Sequence, residues 1–219
     1  MREFVQASTI NRAAGSHPIT DDPRELDAAL RAAERSVREY PYYEARYGDA
    51  ARRFGHSDGA WIALLAQDTQ RGADEQVQWL GRVLAARGMP RLLLERHLEL
   101  LHDELAAAVP GERPRYEKLL RSAEMLRSLR RPVLSNEALH ALAAEFDASV
   151  GAEWSARLPR TGEILAAAAV DERLGIEEAL TSVERWMTDP ERFPSHWIDA
   201  VHRTLEAARD RMSAPVRAG

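Results

Sequence analysis

Oily side chains recur at intervals of three and four residues along almost the whole chain, the spacing that places them on one face of an α-helix. Asp22, Pro23 and Glu25 supply a cap, a first-turn proline and an acid three residues beyond the cap. Leu26, Ala29, Leu30, Ala33, Val37 and Tyr40 follow in helical rhythm until Pro41 closes the element. An aromatic-rich stretch from Tyr42 to Phe54, interrupted at Gly48, comes next. Ser57 or Asp58 then caps a helix carrying Trp61, Ile62 and Leu65, with its end near Gly72. Val77, Leu80, Val83 and Leu84 mark a further helix, stopped by Gly88. The clearest stripe, Leu94, Leu98, Leu101 and Leu105, lies between Pro90 and the pair Pro110–Gly111.

Another helix occupies residues 114–129, before Pro132. Ser135 caps a longer one that passes through Leu139, Leu142, Phe146, Val150 and Trp154 to Leu158. Two shorter helices are predicted over residues 161–173 and 176–187. The last, capped by Ser195, carries Trp197, Val201, Leu205 and Met212. No run alternates apolar and polar residues between turn signals, so no strand is predicted, and no repeat of fixed period is present. The expectation is an all-α chain of about eight to nine helices, a single multi-helix bundle or a globin-like packing. One helical domain is expected over residues 21–212, with a flexible N-terminal segment over 1–20 and a flexible tail over 213–219.

Composition narrows the function classes. Hydrophobic residues make up 45% of the 219, too many for a disordered chain. A net charge of −5 disfavours nucleic acid as a partner, since such proteins carry a basic excess or a clustered basic face. The basic residues are nearly all arginine, with Lys118 the single lysine. The absence of cysteine excludes disulfides, thiolate nucleophiles and cysteine-based zinc sites. Met1 to Thr20 holds no long apolar stretch and no run approaches a membrane span, so a soluble, cytoplasmic protein without a membrane partner is expected.

Three sets of residues carry candidate chemistry. The first is the aromatic segment. Of fourteen aromatic residues, six (Tyr40, Tyr42, Tyr43, Tyr47, Phe54 and Trp61) fall within 22 positions, interleaved with Arg46, Arg52, Arg53 and His56. Aromatic walls and guanidinium forks together suit a planar or anionic ligand, which nominates Tyr43, Arg46, Tyr47, Arg53 and Phe54. The bland alternative is an aromatic helix packed on the core with a solvated basic edge. The second is His97, which projects onto the Leu94/Leu101/Leu105 stripe and so faces inward. A buried imidazole needs a hydrogen-bond partner or a ligand. A neighbouring carbonyl or carboxylate satisfies it in the structural reading, whereas a haem or other tetrapyrrole in a globin-like fold makes it an axial ligand, with Phe54 in contact and Gln76 on the far side.

The third is a carboxylate–histidine set. Glu-x-x-His occurs at Glu99–His102 and Glu137–His140, and Glu75 and Glu124 complete the roster of a di-iron carboxylate enzyme. Helical projection turns Glu99 and Glu137 away from their apolar stripes, which disfavours a metal centre and reads both pairs as solvated faces. Arg127, Arg130 and Arg131 sit where a helix C-terminus favours positive charge. No phosphate loop and no nucleophile elbow is present. The sequence therefore points to a non-catalytic binding, sensor or regulatory module for a small ligand or a partner protein. A homodimer through faces such as Trp186/Met187 or Trp197/Val201 is a further expectation.

Overall fold

The structure, a computed structural model, describes residues 5–213. Among them are ten α-helices, two short 3-10 turns and a single isolated bridge, Gln6 with Pro18, in place of any sheet. The tail expected over 213–219 lies outside the described residues from 214 onward. No described helix is long and apolar enough to cross a membrane.

Contacts divide the chain into two compact units, Met1–Leu80 with Leu94–Met125, and Gly81–Leu93 with Leu126–Gly219. In the first unit α1 (Pro23–Glu39) begins as its sequence dictates. The Asp22 carboxylate accepts the Arg24 backbone N–H at 2.8 Å and satisfies a donor the helix leaves open. The helix buries a face of small residues, Ala28, Ala29, Ala32 and Ala33, and α3 (Asp49–Leu65) packs there. Small faces let the backbones approach. A Cβ added to Gly55 would lie 3.2 Å from that of Ala33, and one at Gly59 would lie 3.5 Å from that of Ala29. The short α2 (Tyr42–Tyr47) joins them at Gly48.

The start of α3 corrects the sequence reading. Ser57 and Asp58 lie inside the helix, and the Ser57 hydroxyl turns back to the Arg53 and Phe54 carbonyls instead of capping. Gly72, expected as a terminator, lies within α4 (Gln70–Ala86). Gly88, with φ of +86°, ends α4 as predicted. Its N–H reaches the Ala85 carbonyl at 2.8 Å and Met89 N–H reaches Leu84 at 2.9 Å, a closure that requires the left-handed conformation glycine adopts freely. The predicted stripe of α5 (Arg91–Ala108) is real: Leu94, Leu98, Leu101 and Leu105 are at most 3% exposed. Each such burial contributes roughly 1.5–3 kcal/mol. In α6 (Arg113–Arg130), Tyr116, Leu119 and Ala123 face inward.

Residues 5–20 are held by the same unit. Ile19 N–H bonds the Val5 carbonyl at 2.9 Å, Thr20 N–H bonds the Ala60 carbonyl at 3.2 Å, and Ala7, Asn11, Ile19 and Thr20 are buried. Thr20 also anchors a buried polar cluster. Its hydroxyl and the Arg115 guanidinium donate to Glu25, and Tyr116 donates to the same carboxylate at 2.6 Å. Burial and the adjacent carboxylate push the Tyr116 hydroxyl up to about 12.

The second unit is built around α8 (Thr161–Arg173), which is apolar and buried from Ile164 to Val170, with Ala166 to Ala169 no more than 2% exposed. It packs against α7 (Asn136–Arg157), α9 (Ala179–Met187) and α10 (Ser195–Ser213). Ser135 caps α7 as expected, accepting the Ala138 N–H at 3.2 Å, and Gly151 kinks the helix beyond Val150. Of the residues expected at dimer faces, three lie inside this unit and Trp186 is half-buried. Met187, Trp197 and Val201 are fully buried, because Trp197 stacks on Phe193 at 4.9 Å, meets Phe146 edge-on at 5.0 Å and donates its indole N–H to the Met187 carbonyl at 3.1 Å.

Candidate functional site

Ser36 of α1 brings His97 to the inner face of α5, where the sequence places it. The imidazole is 8% exposed, and its Nδ1 lies 2.9 Å from the Ser36 hydroxyl, which in turn lies 3.1 Å from the Ala32 carbonyl. The serine has one proton, and a helical serine characteristically gives it to the carbonyl four residues back. Nδ1–H is then the donor to Ser36, and Nε2 carries the lone pair. Among the described residues no group bonds Nε2, which faces Gly59, 3.4 Å from where a Cβ would stand there. Burial lowers the imidazole to about 4, so it is neutral near pH 7.

This geometry opposes the haem reading. An axial ligand needs an open plane in front of its free nitrogen for iron and porphyrin, and the α3 backbone at Gly59 occupies that side. His97 is a core histidine bonded through Nδ1 to a serine hydroxyl, not to the carbonyl or carboxylate expected, and its Nε2 is left without a partner. Its ring fills the junction of three helices because glycine leaves room for it.

The aromatic–arginine segment splits in two. Tyr42, Arg46 and Tyr47 engage one another: Arg46 donates to the Tyr42 hydroxyl and lies 5.1 Å from the Tyr47 ring centre, while the two tyrosines meet edge to face at 6.2 Å. Tyr43 is half-buried and burial drives its hydroxyl far above the ordinary tyrosine value. Arg52 bridges Glu34 and Glu44, and His56 lies 3.3 Å from Glu34. The Arg52 guanidinium holds Glu34 below the usual carboxylate range. Arg53 and Phe54, by contrast, are exposed on α3. Of the nominated residues, Arg46 and Tyr47 engage each other and Tyr42, Tyr43 is half-buried, Arg53 and Phe54 are exposed, and His97 lies on another helix.

The carboxylate–histidine pairs do not assemble. Glu99 takes an Arg96 hydrogen bond at 2.8 Å, and Arg96 also clamps Glu39. Glu75 pairs with Arg71 at 2.9 Å, and Glu137 and His140 are exposed on α7. His102 is buried more deeply than its flanking position suggested, with Nδ1 3.2 Å from Asp103. Among the described residues no three histidine, aspartate or glutamate side chains gather as a metal site would require.

A surface the sequence reading did not single out lies on α3 and α4. Trp79 is 57% exposed and meets Trp61 edge to face at 6.2 Å; His17 also meets Trp61 edge to face, at 6.1 Å. Phe54, 39% exposed, stands two turns before Trp61 on the same helix face. The signal was available: Trp79 falls off the Val77/Leu80/Leu84 stripe by more than a quarter turn, so it has no place in that core. The chain matches no family model, no curated protein and no solved structure.

Proposed function

We propose that this chain is a non-catalytic binding module that docks a partner protein on the aromatic face formed by His17, Phe54, Trp61 and Trp79, with Arg53 at its edge. The observation that carries the reading is Trp79, more than half exposed yet ordered against Trp61. Tryptophan is the residue most enriched among those that dominate binding energy. A ring already fixed by a neighbour loses little freedom when covered.

A small ligand is held by a concave site that covers most of its surface, whereas Trp79 and Phe54 project from their helices. A partner with an apolar centre and an acid facing Arg53 suits this face. The buried carboxyl groups of Glu25 and Asp171 are committed to hydrogen bonds within the fold, which supports a role without acid–base chemistry.

The test is affinity measured on the partner recovered with the wild-type chain. Trp79→Ala and Phe54→Ala are expected to weaken binding by about thirtyfold or more, near 2 kcal/mol, while Leu174→Ala, an exposed leucine of the other unit, leaves it unchanged. Equal affinity for the Trp79 variant and the wild type rejects the reading, and a partner that proves to be a second copy of the chain, seen by light scattering, assigns the face to self-association.

A further inference from the structure

The aromatic face has a length and a local charge that narrow what it docks. Phe54 and Trp61 stand seven residues apart on α3, so they are spaced by roughly 10 Å along the helix axis. Trp79 meets Trp61 at 6.2 Å and widens the apolar strip at that end. The other end is basic. Arg53 precedes Phe54 and is exposed on α3. One turn further on, the N-terminal segment crosses the helix: Asn11 Nδ2 lies 3.5 Å from the Ser57 hydroxyl, and His17 meets Trp61. That crossing sets Arg12, the residue after Asn11, beside the same stretch of α3. Arg12 and Arg53 are both exposed, and neither is engaged in an ion pair among the described residues. The neighbouring Arg52, by contrast, is held by Glu34 and Glu44.

Resting on the docking role proposed above, we infer that the partner presents an amphipathic α-helix with an acidic flank. Apolar residues at i, i+3 or i+4, and i+7 of such a helix repeat at the spacing of Phe54 and Trp61, so one stripe covers both rings and Trp79. The backbone of a helix is already satisfied internally and asks nothing of the surface beneath it. An extended segment, in contrast, gains its hydrogen bonds by joining a sheet edge, and the described residues form no sheet. Glutamate or aspartate on the flank then meets Arg12 and Arg53, for which a carboxylate is the matching acceptor. Bulk charge works the other way. A chain carrying −5 repels an acidic segment as a whole, so a preference for acid on this face has to come from these two arginines.

Three labelled synthetic peptides test this by fluorescence anisotropy on the full chain. Two carry the same helical stripe of leucines, flanked in one by glutamate and in the other by lysine; the third scrambles the glutamate peptide so that the stripe is lost. The glutamate peptide is expected to bind about tenfold more tightly than the lysine peptide, because two attractive pairs replace two repulsive ones at an exposed rim. That preference should shrink at molar salt, where screening acts within about 3 Å. Arg12→Glu and Arg53→Glu should each weaken the glutamate peptide by about threefold or more and tighten the lysine peptide, a reversal that a misfolded variant does not produce. Trp79→Ala should weaken both alike. No binding of the glutamate peptide at millimolar concentration, equal affinity for the two charged peptides, a scrambled peptide that binds as well as the ordered one, or arginine variants that keep the wild-type preference overturns the inference. If Trp79→Ala still weakens the recovered partner in that event, the docking face stands and only its acidic, helical occupant is lost.

Discussion

His97 ties one buried side chain to a pH dependence whose sign follows from its environment. In the unfolded chain it takes up a proton near pH 6.5, and in the folded protein only near 4, because burial disfavours the charged ring. Between these values the unfolded state binds more protons, so stability is lost as pH falls and is fully present above about 6.5. The difference corresponds to roughly 3 kcal/mol across that window. Denaturant unfolding at pH 7, 5.5 and 4.5 should show the decline, and His97→Leu should flatten it; a decline of the same size in that variant removes His97 as the cause. Gly162 gives a second residue-scale outcome. Alanine is the better helix former by about 1 kcal/mol, but a Cβ there would lie 2.6 Å from the Ala143 backbone and 2.9 Å from the Phe146 side chain. Backbone cannot yield as a flexible tip does, so crowding wins. Gly162→Ala should lower stability by about 2 kcal/mol or more, read as a shift in the unfolding midpoint.

Helices announced themselves in the sequence wherever their ends are made by local chemistry. Asp22–Pro23, Gly88, Ser135 and the 161–173 span were legible because cap, first-turn proline and closing glycine act within a few residues. The start of α3 was not, since Gly55 and Gly59 dilute its apolar stripe and exist to meet Ala33 and Ala29 across the packing, which one strand of text does not display. The same limit hid the link between α8 and α5. Asp171, 3% exposed, accepts the Arg91 backbone N–H at 2.8 Å and its guanidinium at 2.7 Å, so a residue eighty positions away caps α5. Burial raises the Asp171 carboxyl despite the adjacent guanidinium. Asp171→Ala strands Arg91 and opens the cap together, and should cost about 3–5 kcal/mol in chemical denaturation. Adding Arg91→Met to that variant should recover part of the loss. A double variant no more stable than Asp171→Ala would show that the cap, and not the stranded charge, dominates.

Across the molecule, charge and burial converge on one pH range. The chain carries −5 at neutrality and its isoelectric point is near 5.9, so intermolecular repulsion fades as pH approaches 6. In that same range His97 begins to withdraw stability. Below it the carboxylates that arginines hold low, Glu34 beside Arg52 and Glu104 beside Arg31 and Arg35, begin to lose their advantage as they protonate. Unfolded chains thus become more populated where they repel one another least, while Trp79 and Phe54 already present apolar surface on the folded form. Light scattering during a slow thermal ramp should show aggregation starting at its lowest temperature between about pH 5 and 6, and at higher temperature at pH 7.5 and at pH 4, where net charge is restored with either sign. His97→Leu should raise the onset temperature at pH 5.5 by keeping the fold intact, and Trp79→Ala should raise it by removing the exposed ring; an onset that tracks unfolding alone, with no minimum near the isoelectric point, would separate the two effects and leave charge without a role.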